Sequence, residues 1–127
     1  MKRILVVDDA ATVRMYHRGI LESAGYLVEE AWNGIEALEK TLDKALDAPF
    51  DLLIVDINMP KLDGYAFLRE LRQQPIAQQP AVMVSTEAAA GDERTAYQAG
   101  ANSYLVKPIV QSQLLAHVRL LIGEANQ

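Results

Sequence analysis

Four short apolar runs in this 127-residue chain each end on a side chain able to take part in acid or charge chemistry. Ile4-Leu5-Val6-Val7 runs into Asp8-Asp9, and Leu52-Leu53-Ile54-Val55 runs into Asp56. Ala81-Val82-Met83-Val84 ends on Ser85, and Tyr104-Leu105-Val106 on Lys107. If these ends meet, three carboxylates share one cleft with an ammonium and a hydroxyl. Carboxylates that close repel and raise one another's pKa. A hard divalent cation relieves the repulsion, and Mg²⁺ suits a site of few carboxylates, a backbone carbonyl and several waters. Lys107 adds a second positive charge, able to pair with Asp56 or with an oxygen of an incoming phosphoryl group. Ser85 can donate a hydrogen bond to another such oxygen. Together these groups suit phosphoryl transfer to a carboxylate, with Asp56 attacking in line.

The elements that must position these groups follow from the hydropathy pattern. Runs such as Ile4–Val7 and Leu52–Val55 are continuously apolar, as in strands buried on both faces. Leu27–Ala31, Ala81–Ser85 and Ser103–Val106 complete five predicted strands. Between them lie stretches of helical period. Val13, Tyr16, Ile20 and Leu21 share one face before Gly25, and Ile35, Leu38, Leu42 and Leu46 form a stripe closed by Pro49. Phe67, Leu68 and Leu71 mark a third helix, 92–99 a fourth, and Leu114, Leu115, Val118, Leu121 and Ile122 a fifth. Five βα units in succession predict a parallel sheet with right-handed crossovers and helices on both faces. In such a sheet, ligands bind beyond the carboxyl ends of the strands, where the strand order reverses.

Composition narrows the function classes. At 127 residues the chain is expected to be one domain, 1–127. Its net charge of −5 and pI near 4.9 disfavour contact with a phosphate backbone, so no nucleic-acid partner is expected. The absence of cysteine excludes disulfides, thiolate metal sites and cysteine nucleophiles. The apolar run after Met1-Lys2-Arg3 stops at Asp8, too soon for a signal peptide. No run approaches the roughly 18 apolar residues of a membrane span. A cytoplasmic protein without a tether or output domain is expected.

The motifs in order are Val7-Asp8-Asp9, Asp56-Ile57-Asn58-Met59-Pro60, Asp63-Gly64, Val84-Ser85-Thr86-Glu87-Ala88, Gly100-Ala101 and Tyr104-Leu105-Val106-Lys107-Pro108. With this spacing the chain resembles the response-regulator receiver domains, and especially their stand-alone, CheY-like members, over essentially its whole length. The resemblance implies a doubly wound (βα)5, flavodoxin-like sandwich with strand order 2-1-3-4-5. It makes Asp56 the phosphoacceptor, Asp9 a direct Mg²⁺ ligand and Asp8 an acidic neighbour that orients metal-bound water. Asn58 would lend its backbone carbonyl to the metal. Lys107 would bridge to the phosphoryl group, aimed by a cis Lys107–Pro108 peptide. Ser85 and Tyr104 would be the switch pair, and a downstream protein would read the surface of helix four, strand five and helix five. The phosphodonor would be a sensor histidine kinase or a histidine phosphotransfer protein. The chain would be no enzyme beyond its own phosphorylation and dephosphorylation, and a monomer or a weak dimer when phosphorylated.

Some positions depart from that pattern. Ser85 stands where threonine is commoner, and Glu87-Ala88-Ala89-Ala90 lacks the lysines that CheY presents to the flagellar switch. The stretch from Gly34 to Asp56 is about one helical turn longer, which predicts an extended second helix. Asn58 and Glu87 match a fast-decaying pattern, so a short-lived phospho-form is expected. Two roles stay open: a terminal effector, in chemotaxis or elsewhere, or a phosphotransfer intermediate or phosphate sink. A haloacid-dehalogenase-type phosphatase would need Asp-x-Asp after the first strand, and a flavin binder would need a Gly/Ser/Thr-rich loop there. Structural roles account for the remaining residues. Asp63 reads as a helix N-cap and Glu36 with Lys40 as an i,i+4 pair. Trp32 and Tyr97 read as packing residues, and His17 and His117 as solvated.

Overall fold

The structure, a computed structural model, describes residues 1–86 and 90–126, with the side chains of 90–92 outside the described set. In chain order the elements are β1 (Arg3–Val7), α1 (Ala11–Ser23), β2 (Leu27–Ala31), α2 (Gly34–Lys44), β3 (Leu52–Asp56), α3 (Gly64–Arg72), β4 (Ala81–Ser85), α4 (Ala90–Ala99), β5 (Ser103–Val106) and α5 (Gln111–Ile122). The five strands form one parallel sheet in the order β2-β1-β3-β4-β5, the doubly wound arrangement expected from the alternation and the resemblance.

Side chains alternate across a strand, so each apolar run feeds two cores. Ile4, Val6, Leu52, Ile54, Val82, Val84 and Leu105 point to one face, where Ile20 and Leu21 of α1 and Leu114, Leu115 and Val118 of α5 cover them. Leu5, Val7, Leu53, Val55, Ala81 and Met83 point to the other, against Ala37 of α2, Phe67, Leu68 and Leu71 of α3, and Ala96 of α4. Each fully buried Leu or Phe contributes about 1.5–3 kcal/mol relative to exposure, which locks the register of every strand. Asp63 caps α3, its carboxylate accepting from the Ala66 N–H at 2.9 Å, and Glu36 lies 3.5 Å from Lys40.

Five expectations need correction. The buried face of α1 is Arg14, His17, Ile20 and Leu21, so Tyr16 faces out and the predicted face is rotated. In α2 the buried residues are Gly34, Ala37 and Thr41, while Ile35, Leu42 and the 95 % exposed Leu46 face solvent and Leu38 is half-buried. That helix also ends at Lys44 and is not extended; 45–48 continue as turns, with the Ala48 N–H donating to the Lys44 carbonyl at 3.1 Å. Trp32 and Tyr97 are exposed, the Trp32 ring lying under the Arg14 guanidinium with its centroid 5.7 Å from Cζ. The histidines are not solvated: His17 is buried, and half-buried His117 hydrogen-bonds through Nδ1 with the Ser103 hydroxyl at 2.5 Å.

Candidate functional site

Parallel register brings the strand ends together. Val7 pairs with Val55 across β1 and β3, so Asp8 and Asp56 each lie one residue beyond a matched pair. Asp56 pairs with Val84, and Ser85 with Val106, so Ser85 and Lys107 each lie one residue beyond the next two. Strand order reverses between β1 and β3, which makes this edge the expected binding crevice of a doubly wound sheet.

Asp8, Asp9 and Asp56 each offer a carboxylate oxygen, and the three atoms lie within 4.8 Å of one another. Asp8 is 2 % exposed and Asp56 4 %, while Asp9 is open to solvent. The Lys107 ammonium reaches between the buried pair, 2.9 Å from Asp8 Oδ2 and 3.2 Å from Asp56 Oδ1. The Lys107–Pro108 peptide is cis. The Lys107 N–H donates to the Ser85 carbonyl at 2.7 Å, tying the two strand ends together.

The electrostatics are those of a site short of positive charge. Burial first, and then the Asp8 charge, push the Asp56 carboxyl up from an ordinary 3.8 to about 6, against the pull of Lys107. Burial works to depress the Lys107 ammonium. Its hydrogen bonds and charge contacts with Asp8 and Asp56 outweigh that and raise it. One lysine therefore serves two buried carboxylates, with a third carboxylate at the rim.

The loop after β3 folds back over Asp56. The Ile57 N–H donates to the Val84 carbonyl at 3.0 Å and the Gly64 N–H to the Ile57 carbonyl at 2.9 Å, with Lys61 and Leu62 in the left-handed region. A Cβ on Gly64 would lie 2.4 Å from the Asp56 carbonyl oxygen, so only glycine permits this approach. Asn58 is exposed on this loop. Ser85 is buried at the end of β4. Tyr104 is half-buried on β5 and packs on the core beneath α2, α3 and α4. Glu87, Ala88 and Ala89 lie outside the described residues.

Two neighbours of the cluster escaped the sequence argument. Arg14 is buried, with one guanidinium nitrogen donating to the Asp8 carbonyl at 2.6 Å. His17 is buried near Asp8 and Lys107; burial holds its imidazole below the usual value, Asp8 opposes this, and Lys107 adds to it. The signal for both was their spacing from Leu21, seven and four residues back along one helical face.

A lysine-bridged acid cluster at the switch point of this sheet is the architecture of the receivers of two-component signalling. The chain belongs to that family: residues 4–119 match the response regulator receiver domain. It is CheY-like, being 36% identical over 125 residues to chemotaxis protein CheY1 of Helicobacter pylori, across 95% of this chain and 97% of that one. Its fold superposes on the crystallised chemotaxis protein CheY4 of Vibrio cholerae with a TM-score of 0.86 at 34% identity, covering 95% of this chain and 98% of that one. The receiver domain of sensor histidine kinase PA1611 from Pseudomonas aeruginosa gives a TM-score of 0.86 at 31% identity, over 97% of this chain and 98% of that one, and is described with a magnesium ion coordinated in its active site cleft. Other curated relatives are longer: the chain spans 50% of two and 14% of a third. Among the described residues no helix is long and apolar enough to cross a membrane.

Proposed function

We propose that this chain, acting as one receiver domain over 1–127, accepts a phosphoryl group on Asp56 from a histidine kinase or histidine phosphotransfer protein and relays the change to a protein target. The observation that carries this reading is the juxtaposition of the Asp8, Asp9 and Asp56 oxygens within 4.8 Å, with Lys107 Nζ 3.2 Å from Asp56. The donor set fits Mg²⁺: three carboxylates face a single ammonium, and burial first, then the Asp8 charge, push Asp56 up to about 6 despite Lys107. Asp8, Asp9 and Asp56, with the Asn58 main-chain carbonyl, would hold the ion. When bound, it supplies Lewis-acid neutralisation of the phosphoryl oxygens.

The chain's own residues do the rest. A carboxylate oxygen of Asp56 attacks phosphorus as the P–N bond of the donor phosphohistidine breaks, and the imidazole leaves with the bond's electron pair. The Lys107 ammonium pairs with one phosphoryl oxygen, and the Ser85 hydroxyl donates to another. That shift of Ser85 opens space for Tyr104 to turn inward, changing the α4-β5-α5 surface that a partner reads. Asn58 and Glu87 set water access and favour a short-lived acyl phosphate. The setting this implies is cytoplasmic, with neither nucleic acid nor membrane as partner, and a monomer or weak dimer once phosphorylated. A second reading, as a phosphotransfer intermediate or phosphate sink, is favoured by the absence of lysine from Glu87-Ala88-Ala89-Ala90 in the sequence.

The test is intact-mass spectrometry of the chain mixed with acetyl phosphate, with and without Mg²⁺, beside Asp56→Asn. A Mg²⁺-dependent phosphoryl adduct absent from the variant is expected. No adduct with donor and metal in excess would reduce Asp56 to a structural acid.

A further inference from the structure

Asp8 is held at every polar group it has. Its N–H donates to the Ala31 carbonyl at 3.1 Å, its Oδ1 accepts from the Ala10 N–H at 2.9 Å, and its Oδ2 faces Lys107 at 2.9 Å. The remaining group, the main-chain carbonyl that leads into Asp9, accepts from Arg14 Nη1 at 2.6 Å. Arg14 is itself anchored: its Nε donates to Glu30 Oε1 at 2.9 Å, and the second oxygen of Glu30 takes Arg18 Nη1 at 2.7 Å. Hydrogen bonds from Arg18, opposed by burial and reinforced by Arg14, hold the Glu30 carboxyl below its usual value. At 8 % exposure Arg14 is a buried charge whose carboxylate partner sits on the edge strand β2, away from the acid cluster. Simple neutralisation of Glu30 does not require burial, and Arg18 already serves that carboxylate from a more exposed position. Burial places the guanidinium fork so that it spans Glu30 and the Asp8 carbonyl at once, a geometry lysine cannot reproduce.

We propose that Arg14, anchored by Glu30, is a positioning residue for the Asp8–Asp9 loop and sets how tightly the acid cluster takes a divalent cation. This rests on the Mg²⁺ reading given above. Outer-shell groups that orient metal ligands change affinity by about 10–100-fold when altered.

The experiment is calorimetric titration of MgCl₂ into wild type, Arg14→Lys, Glu30→Gln and Glu29→Gln, with thermal melts of each metal-free protein. Glu29 is the control: it neighbours Glu30 on β2, but its partner is Arg3, which does not touch the acid loop. Arg14→Lys keeps the charge and should stay folded, with a Mg²⁺ Kd raised about tenfold. Glu30→Gln keeps an acceptor for Arg14 and should give a smaller rise. Glu29→Gln should lower the melting temperature about as much as Glu30→Gln while leaving the Kd unchanged. Folded Arg14→Lys with wild-type affinity, or an equal loss of affinity in Glu29→Gln and Glu30→Gln, would overturn the assignment. Failure of the wild type to bind Mg²⁺ at all would overturn the underlying reading, and this proposal with it.

Discussion

The metal-free protein should be more stable without the Asp56 charge than with it. The carboxyl sits near 6 in the folded chain against an ordinary 3.8. A group whose pKa rises on folding contributes most favourably below its unfolded value, and that contribution is lost as pH rises through the folded value. The interval from 3.8 to about 6 corresponds to at most about 3 kcal/mol at neutral pH, and relaxation and water penetration around the buried carboxylate reduce this to about 1–2 kcal/mol. Asp56→Asn removes the charge and keeps the shape, and Lys107 retains Asp8 at 2.9 Å. In EDTA at pH 7.5 the variant should therefore exceed wild type by about 1–2 kcal/mol, or some 3–8 °C in Tm. The gain should shrink through pH 6 and vanish near pH 4. Urea titrations followed by far-ultraviolet circular dichroism measure this directly, since exposed Trp32 is a poor reporter of unfolding. Saturating MgCl₂ should reverse the order, because ligand at 100 times its Kd stabilises only the protein that binds it, by about 2.7 kcal/mol. A variant no more stable than wild type at pH 7.5, or a difference that does not narrow toward pH 4, would refute the reasoning.

Gly64→Ala forces a Cβ to within 2.4 Å of the Asp56 carbonyl oxygen and 2.9 Å of Ile57 Cα. It should cost about 1–3 kcal/mol in urea titration and slow phosphorylation by acetyl phosphate, because the backbone that must yield carries Asp56, the acceptor proposed above. His17, buried and depressed from 6.5, supports the fold as the neutral imidazole. Its contribution is fully present above about 6.5 and is lost as pH falls through its lower folded value, so His17→Gln should flatten wild-type stability loss below pH 6.5. Parallel acid titrations of the two proteins check this, and coincident slopes would count against it.

How much of this was legible depends on what sets each element's place. The strands were, because a parallel strand buried on both faces must be apolar throughout, and Leu52–Val55 can hardly be read otherwise. The acid, serine and lysine positions followed from where those runs stop. The helix faces were harder. On α2 the large aliphatics Ile35, Leu42 and Leu46 suggested the buried face, but Gly34, Ala37 and Thr41 are the residues buried. A Cβ on Gly34 would lie 2.1 Å from the Leu62 carbonyl, so close approach selects small residues there. Thr41 joins them because its hydroxyl is satisfied within the helix, donating to the Ala37 carbonyl at 2.7 Å. Hydropathy cannot see that preference. On α1, buried Arg14 broke the apolar periodicity because its guanidinium finds partners in the Asp8 carbonyl and Glu30, and buried His17 lies beside it near Asp8 and Lys107.

Lys107 lies between two carboxylates that cannot both be comfortable without it. The cleft thus carries a tethered counter-ion of its own, and the fold does not depend on borrowing one from solution. A cation arriving there would meet carboxylates already partly paired with Lys107, so its net affinity would be a difference between opposing energies. Small differences respond steeply to small changes in charge. A single negative group added at Asp56 would capture the lysine and redistribute the whole balance, and its loss would restore the resting pairing without any element having to refold.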